Sequence, residues 1–171
     1  MNFTFNDIVN YNDVFSVDDC EKIYHHVNKP KWSFTGRSNS EGGGSTFWYM
    51  DLTGEKFFSE YLLNIIEEKT QQRYKLKDVY ANGHTFGTSG SLHIDWDHPK
   101  MRTFLFYVNP FWNLHWGGKT VFKIDDEHHF VIPKPNSAVM FPALIPHYAE
   151  GTTRSFENLR ITIAWKLKIK D

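Results

Sequence analysis

From about residue 78 the chain breaks into short apolar or alternating runs with turn signals between them: "KDVYANGHTFG", "SLHID", "MRTFLFYVN", "GKTVFKI", "HHFVIP", "SAVMFPA", "PHYAEG" and "RITIAWKLKI". No helical period separates them, so there is little room for the crossover helices that a parallel sheet needs. About eight consecutive strands of this kind argue for an antiparallel sandwich or barrel. Before them come two helical stretches. In "DVFSVDDCEKIYHHV", Ser16 reads as an N-cap with Asp19 three residues on, as in a capping box. In residues 54 to 74, Phe57, Phe58, Tyr61, Leu62, Ile65 and Ile66 make one stripe, suited to bracing a sheet. The expected fold is therefore mainly β (α+β), a jelly roll of about eight antiparallel strands backed by N-terminal helices. The 171 residues read as one domain, 1 to 171, with helical support and a flexible loop in 1 to 77 and the jelly-roll core in 78 to 171.

Composition narrows the function classes. Aromatic residues reach 17%, which fits strands packed around a bulky core. The formal charge is −1, and no basic stripe is visible, so neither nucleic acid nor an anionic membrane is an expected partner. Cys20 is the one cysteine, which excludes an internal disulfide and fits a reducing compartment. The N-terminus "MNFTFNDIVN" lacks a signal-peptide pattern, and a soluble cytoplasmic protein is expected. Asn2-Phe3-Thr4 matches a glycosylation sequon, which that setting leaves unused. The Gly- and Ser-rich stretch 35 to 47 reads as a loop. Its glycines lack the Lys-Ser/Thr signature of a phosphate cradle.

The chemistry concentrates in "SLHIDWDHP", residues 91 to 99. On a strand, His93 and Asp95 share a face roughly 6 to 7 Å apart, near enough to converge on one ion. Asp97 shares their parity but lies roughly 13 Å from His93, and His98 is constrained by Pro99. A site with two histidines and one carboxylate needs a second histidine. His25, His26, His84, His115, His128, His129 and His147 are candidates. His147 follows an apolar strand with Pro142 and Pro146 fixing the approach, as accurate ligation requires. His128 and His129 fall by a polar hairpin tip, and His25 and His26 on the first helix. In "RITIAWKLK", Arg160, Thr162 and Ala164 share one face: a forked cation, a hydroxyl and a small residue, together a cradle for a carboxylate. Thr103 and Tyr107 share a face of "RTFLFYVN" and bring hydroxyls to the same region. Trp96 and Trp112 are candidates for a substrate channel or for packing.

Taken in order, "ANGHTFGTSGSLHID", "FYVNPFWNLHWGGKTVF", "IPKPNSAVMFPALIPH" and "LRITIAW" resemble the iron(II)- and 2-oxoglutarate-dependent dioxygenases, in their prolyl 4-hydroxylase-like branch. The likeness runs from about Tyr80 to Trp165. It implies a double-stranded β-helix with His93, Asp95 and His147 as catalytic iron ligands. It assigns the 2-oxoglutarate C5 carboxylate to Arg160 with Thr162, and cosubstrate contacts to Tyr107, Thr103 and Tyr80. The implied cofactors are Fe(II), 2-oxoglutarate and O2, with ascorbate to maintain activity, and the products include succinate and CO2. A peptide or protein substrate containing proline is implied by the branch. The alternatives are a free amino acid or other small molecule, or a catalytically silent jelly-roll binding module. The chain departs from the family at three points. Arg160 lies thirteen positions after His147, beyond the usual spacing, and Arg154 at plus seven competes with it. Asn136 stands where a turn glycine is common, and Asn tolerates the left-handed backbone. The chain is also short, which leaves little for a substrate lid.

Overall fold

The computed structural model describes residues 3–38 and 45–170. Two antiparallel sheets carry ten strands among the described residues. The larger has seven, in the order β1 (Val9–Asn12), β8 (Ser137–Pro142), β5 (Met101–Tyr107), β10 (Arg160–Ile169), β4 (Tyr74–His84), β3 (Phe47–Asp51) and β2 (Ser33–Gly36). The smaller has β7 (Glu127–Val131), β6 (Thr120–Ile124) and β9 (His147–Ala149). This is the jelly-roll architecture expected from the alternating runs. The eight runs give seven of these strands, and the eighth, "SLHID", is held by one isolated antiparallel bridge between His93 and His147.

The N-terminal part differs from expectation. Besides its helices it adds three strands: β1 pairs with β8, β3 with β4, and β2 with β3. These strands are short and weakly alternating, so their pairing is set by neighbours distant in sequence. The expected loop 35 to 47 begins and ends in strand. Its centre, with the Gly42–Gly44 run, lies outside the described residues, as does Asn2 of the sequon.

Helix α1 (Val17–Val27) starts as its sequence demands, with the Ser16 hydroxyl accepting the Asp19 N–H at 3.1 Å. The second helix is shorter than the 54 to 74 pattern. A π-helical turn over Phe57–Tyr61 leads into α2 (Leu62–Thr70), and left-handed Gln71 ends it. Phe58, Leu62 and Ile66 of the stripe are buried, whereas Tyr61 is half exposed.

Strand alternation sorts the interior into two layers. Ile161, Ile163, Trp165 and Leu167 of β10 join Phe104 and Phe106 of β5 in the core beneath the helices. Tyr107 of β5 joins Phe122, Val139 and Phe141 between the sheets. The opposite face of β10, from Arg160 to Lys166, meets neither core and lines a cavity. Asn136 has a φ of +49° and bonds both polar ends of its amide to the Phe15 backbone, so it serves the turn without glycine.

Candidate metal centre

His93 and Asp95 sit on an irregular segment. The expectation of a strand through both is corrected: past the single bridge, the amides of Asp95 and Trp96 both bond to the Ala143 carbonyl, at 2.9 and 3.3 Å. One carbonyl shared by two amides bends the chain instead of extending it, yet the two side chains still converge. His147 opens β9 directly across the bridge. One ligand atom from each of His93, Asp95 and His147 lies within 4.8 Å of the others.

The donor chemistry of this cluster points to a cation. His93 Nδ1 is 2.8 Å from the Ser91 carbonyl and His147 Nδ1 is 2.9 Å from the Ile145 carbonyl. A ring nitrogen facing a carbonyl must carry the proton, so each neutral ring turns the Nε2 lone pair inward. Those Nε2 atoms stand 3.4 Å from Asp95 Oδ1 and Oδ2 respectively. Burial pushes the His147 imidazole down to about 4, which keeps it neutral near pH 7. Burial also opposes ionisation of Asp95, but the adjoining Lys166 ammonium outweighs it and holds its carboxyl well below the usual range. Acceptor atoms gathered in a buried corner fit a divalent metal, and two imidazoles with one carboxylate is the set that suits non-haem iron.

The centre opens into a cavity of about 460 Å³ whose floor is the inner face of β4 and β10. Register sets His84 against Arg160, Asn82 against Thr162, Tyr80 against Ala164 and Asp78 against Lys166, and all eight line it. Arg160 is fully buried. Its Nε donates to the Gly118 carbonyl at 2.6 Å, and an Nη donates to Thr120 Oγ1 at 3.3 Å. Gly118 has a φ of +71°, and a Cβ there would come within 2.9 Å of Arg160 Cδ, which explains the paired glycines after Trp116. Arg154 lies in an exposed turn with its guanidinium over the Phe86 ring, outside the cavity.

The other expected residues divide. Thr103, Tyr80 and Thr162 line the cavity. Tyr107 does not: it stands behind the wall, its hydroxyl 2.8 Å from Thr120 Oγ1. Trp96 is at the cavity, whereas Trp112 packs on Trp116 and Phe156. Asp97 and His98 do not line it, and His25, His26, His115, His128 and His129 lie outside the ligand cluster.

Sequence reasoning missed Lys166, the wall position of His84 (a candidate only as a metal ligand, and outside that cluster), Asn82 and Thr120. Parity was the available signal for the first three, since Lys166 continues the Arg160–Thr162–Ala164 face and Asn82 and His84 continue that of Tyr80. Both ring nitrogens of His84 and the Asn82 Oδ1 are buried with no hydrogen-bond partner in the protein. Buried polar atoms seldom stay unpaired, so a polar ligand or water completes this wall. Burial, then the nearby Arg160, pushes His84 down to about 3.

No family model matches the chain, and no curated protein matches it by sequence. Solved structures do match by fold. A prolyl-4-hydroxylase from Pseudomonas putida superposes with a TM-score of 0.68 at 16% identity, covering 95% of this chain and 92% of that one. A Trichoplax adhaerens prolyl hydroxylase, in complex with a peptide fragment of a hypoxia inducible factor oxygen degradation domain, gives 0.73 at 14%, covering 95% and 84%. The non-heme alpha ketoglutarate dependent epimerase SnoN, from nogalamycin biosynthesis, gives 0.72 at 10%, covering 95% and 76%. At such identities the likeness is one of fold, and it spans nearly the whole chain.

Proposed function

We propose that the chain is a single-domain Fe(II)- and 2-oxoglutarate-dependent oxygenase, with His93, Asp95 and His147 as its iron ligands. The observation that carries this reading is the pair of imidazoles whose Nδ1 atoms are tied to backbone carbonyls while their Nε2 lone pairs meet one carboxylate. When bound, iron and 2-oxoglutarate activate O2 to oxidise a substrate C–H bond, with succinate and CO2 as coproducts. Arg160 is assigned the distal carboxylate of 2-oxoglutarate. Its fork is already held by Gly118 and Thr120, so little ordering remains to be done on binding. Thr162 and Tyr80 offer hydroxyls along the same wall, Thr103 orients Asp95, and Tyr107 orients Thr120. The substrate approaches where Trp96 and Arg37 border the cavity.

A peptidyl proline is the proposed substrate, supported by the two prolyl hydroxylases that share the fold. The same chemistry on a small polar molecule is the second reading. It is favoured by the unpaired atoms of His84 and Asn82, and by a likeness to an epimerase at a similar TM-score, 0.72. A cytoplasmic setting fits a chain whose one thiol is Cys20.

Anaerobic addition of Fe(II) and 2-oxoglutarate should give a weak visible charge-transfer band. With O2, ascorbate and a proline peptide panel, succinate should form and one peptide should gain the mass of one oxygen atom. His93→Ala should lose the band and the turnover. Unchanged turnover in that variant would remove the metal assignment. A band with succinate but no peptide product would favour the small-molecule reading. Neither band nor succinate in the wild type would leave a binding module.

A further inference from the structure

The cavity holds a second buried cation that the proposed chemistry does not use. Lys166 on β10 is 6% exposed, and its ammonium contacts Asp95 Oδ2. Thr103 on β5 lies opposite it in register and donates from Oγ1 to the same Oδ2 while accepting from Lys166 Nζ at 3.3 Å. Tyr80 on β4 is the remaining partner, its ring centroid 5.5 Å from Nζ. Three adjacent strands at the sheet centre thus fix one ammonium, and the ammonium fixes one oxygen of a carboxylate borne on the irregular segment.

We infer that Lys166 is a positioning residue, the resident counter-ion of the metal site, and that it limits how tightly the site holds metal. This rests on the reading of His93, Asp95 and His147 as ligands. Lys166 is the ammonium in direct contact with Asp95, and it is buried beside that carboxylate. It pairs with the carboxylate in a buried setting and ties down Oδ2, which leaves Oδ1 beside His93 as the oxygen to offer a metal. When a metal arrives, two cations share one carboxylate. Their repulsion weakens metal binding, in exchange for a metal-free protein whose ligands stay in place.

The test is calorimetric titration of the metal-free full chain with Mn(II), beside thermal melting with and without Mn(II). Lys166→Met should lower the Mn(II) Kd by at least about tenfold. It should also lower the metal-free Tm and enlarge the Tm gain on adding Mn(II). Lys166→Arg, which keeps the charge, should restore the wild-type Kd to within about threefold. A residue that only filled space would not tighten metal binding when removed. If Lys166→Met is unfolded without metal, Lys166→Gln takes its place with the same expected order of affinities. A folded uncharged variant that binds Mn(II) no more tightly than the wild type overturns the inference and leaves the metal reading intact. A wild type that binds neither Mn(II) nor Fe(II) overturns the metal reading and this inference with it.

Discussion

The two ends of the cavity are built differently. At the carboxylate end, Arg160 comes from the middle of a seven-stranded sheet, its fork is bonded to Gly118 and Thr120, and Tyr107 braces Thr120 from behind. At the metal end, His93 and Asp95 hang on an irregular segment held by one bridge to His147, by the Gly90 amide on the Ala149 carbonyl, and by the Ala143 carbonyl just past β8. At the first end the guanidinium is held in place without its ligand, although His84 and Asn82 beside it keep unpaired polar atoms. The second is a set of acceptors that repel one another unless a cation joins them, with Lys166 meeting part of that need. The sheet is thus ordered by strand pairing along its length, whereas the backbone of the ligand segment rests on few bonds and its Asp95 side chain on Lys166 and Thr103.

Hydrogen exchange offers the largest contrast. In the metal-free protein the Asp95 and Trp96 amides should exchange at least about a thousandfold faster than those of Phe104 and Ile163, which lie mid-strand in the core. Mass spectrometry on overlapping peptides can read both regions. Equal rates would show the segment to be as rigid as the sheet, and the contrast would fall.

The next effect is on cosubstrate binding. Arg160→Ala removes a buried charge from the preformed end and should raise the 2-oxoglutarate KM about a hundredfold or more. Arg154→Ala removes an exposed guanidinium stacked on Phe86 and should change it by less than about threefold. The reverse order would move the anchor to the surface loop and make the carboxylate end the flexible one.

The same division decides what was readable in the sequence. Alternation in "RITIAWKLKI" and "MRTFLFYVN" assigns faces correctly because those strands are paired on both sides, so their period is enforced along their length. Parity carried to its end would have included Lys166. Over "SLHID" the pair that gathers with His147 emerged from a strand assumption that the structure corrects, since a bend at Asp95 can aim two side chains together as well as a pleat can. The strands β1, β2 and β3 were not read, because β1 and β2 are short and partly polar and all three take their pairing from partners set by the fold, although the aromatic run of β3 was a usable signal. Thr120 escaped for a related reason, and Gly118 entered only within the "HWGGK" motif: the importance of both lies in what Arg160 needs, and Arg160 is 40 and 42 residues further on.

A last contrast is in the response to acid, and here the rigid end is the vulnerable one. His84 faces Arg160 in register, buried and unprotonated, with its titration pushed down to about 3 by burial and then by the guanidinium. In the unfolded chain an imidazole titrates near its ordinary value of about 6.5. Above that pH neither state holds the proton, and His84 leaves stability unaffected. Below it the unfolded state takes up a proton that the folded state refuses, so stability falls as pH falls, until the folded value is reached. His84 alone should cost about 1 kcal/mol between pH 6.5 and 5.5. His147, pushed down to about 4, falls away over an overlapping range and makes the total slope steeper. Urea unfolding of the metal-free protein at several pH values should therefore show a plateau above pH 6.5 and a decline below it. His84→Gln should reduce that decline by the contribution of one proton, whatever it does to stability at neutral pH. An unchanged slope would mean that His84 takes up its proton in the folded state, and that the wall opposite Arg160 is less closed than its burial indicates.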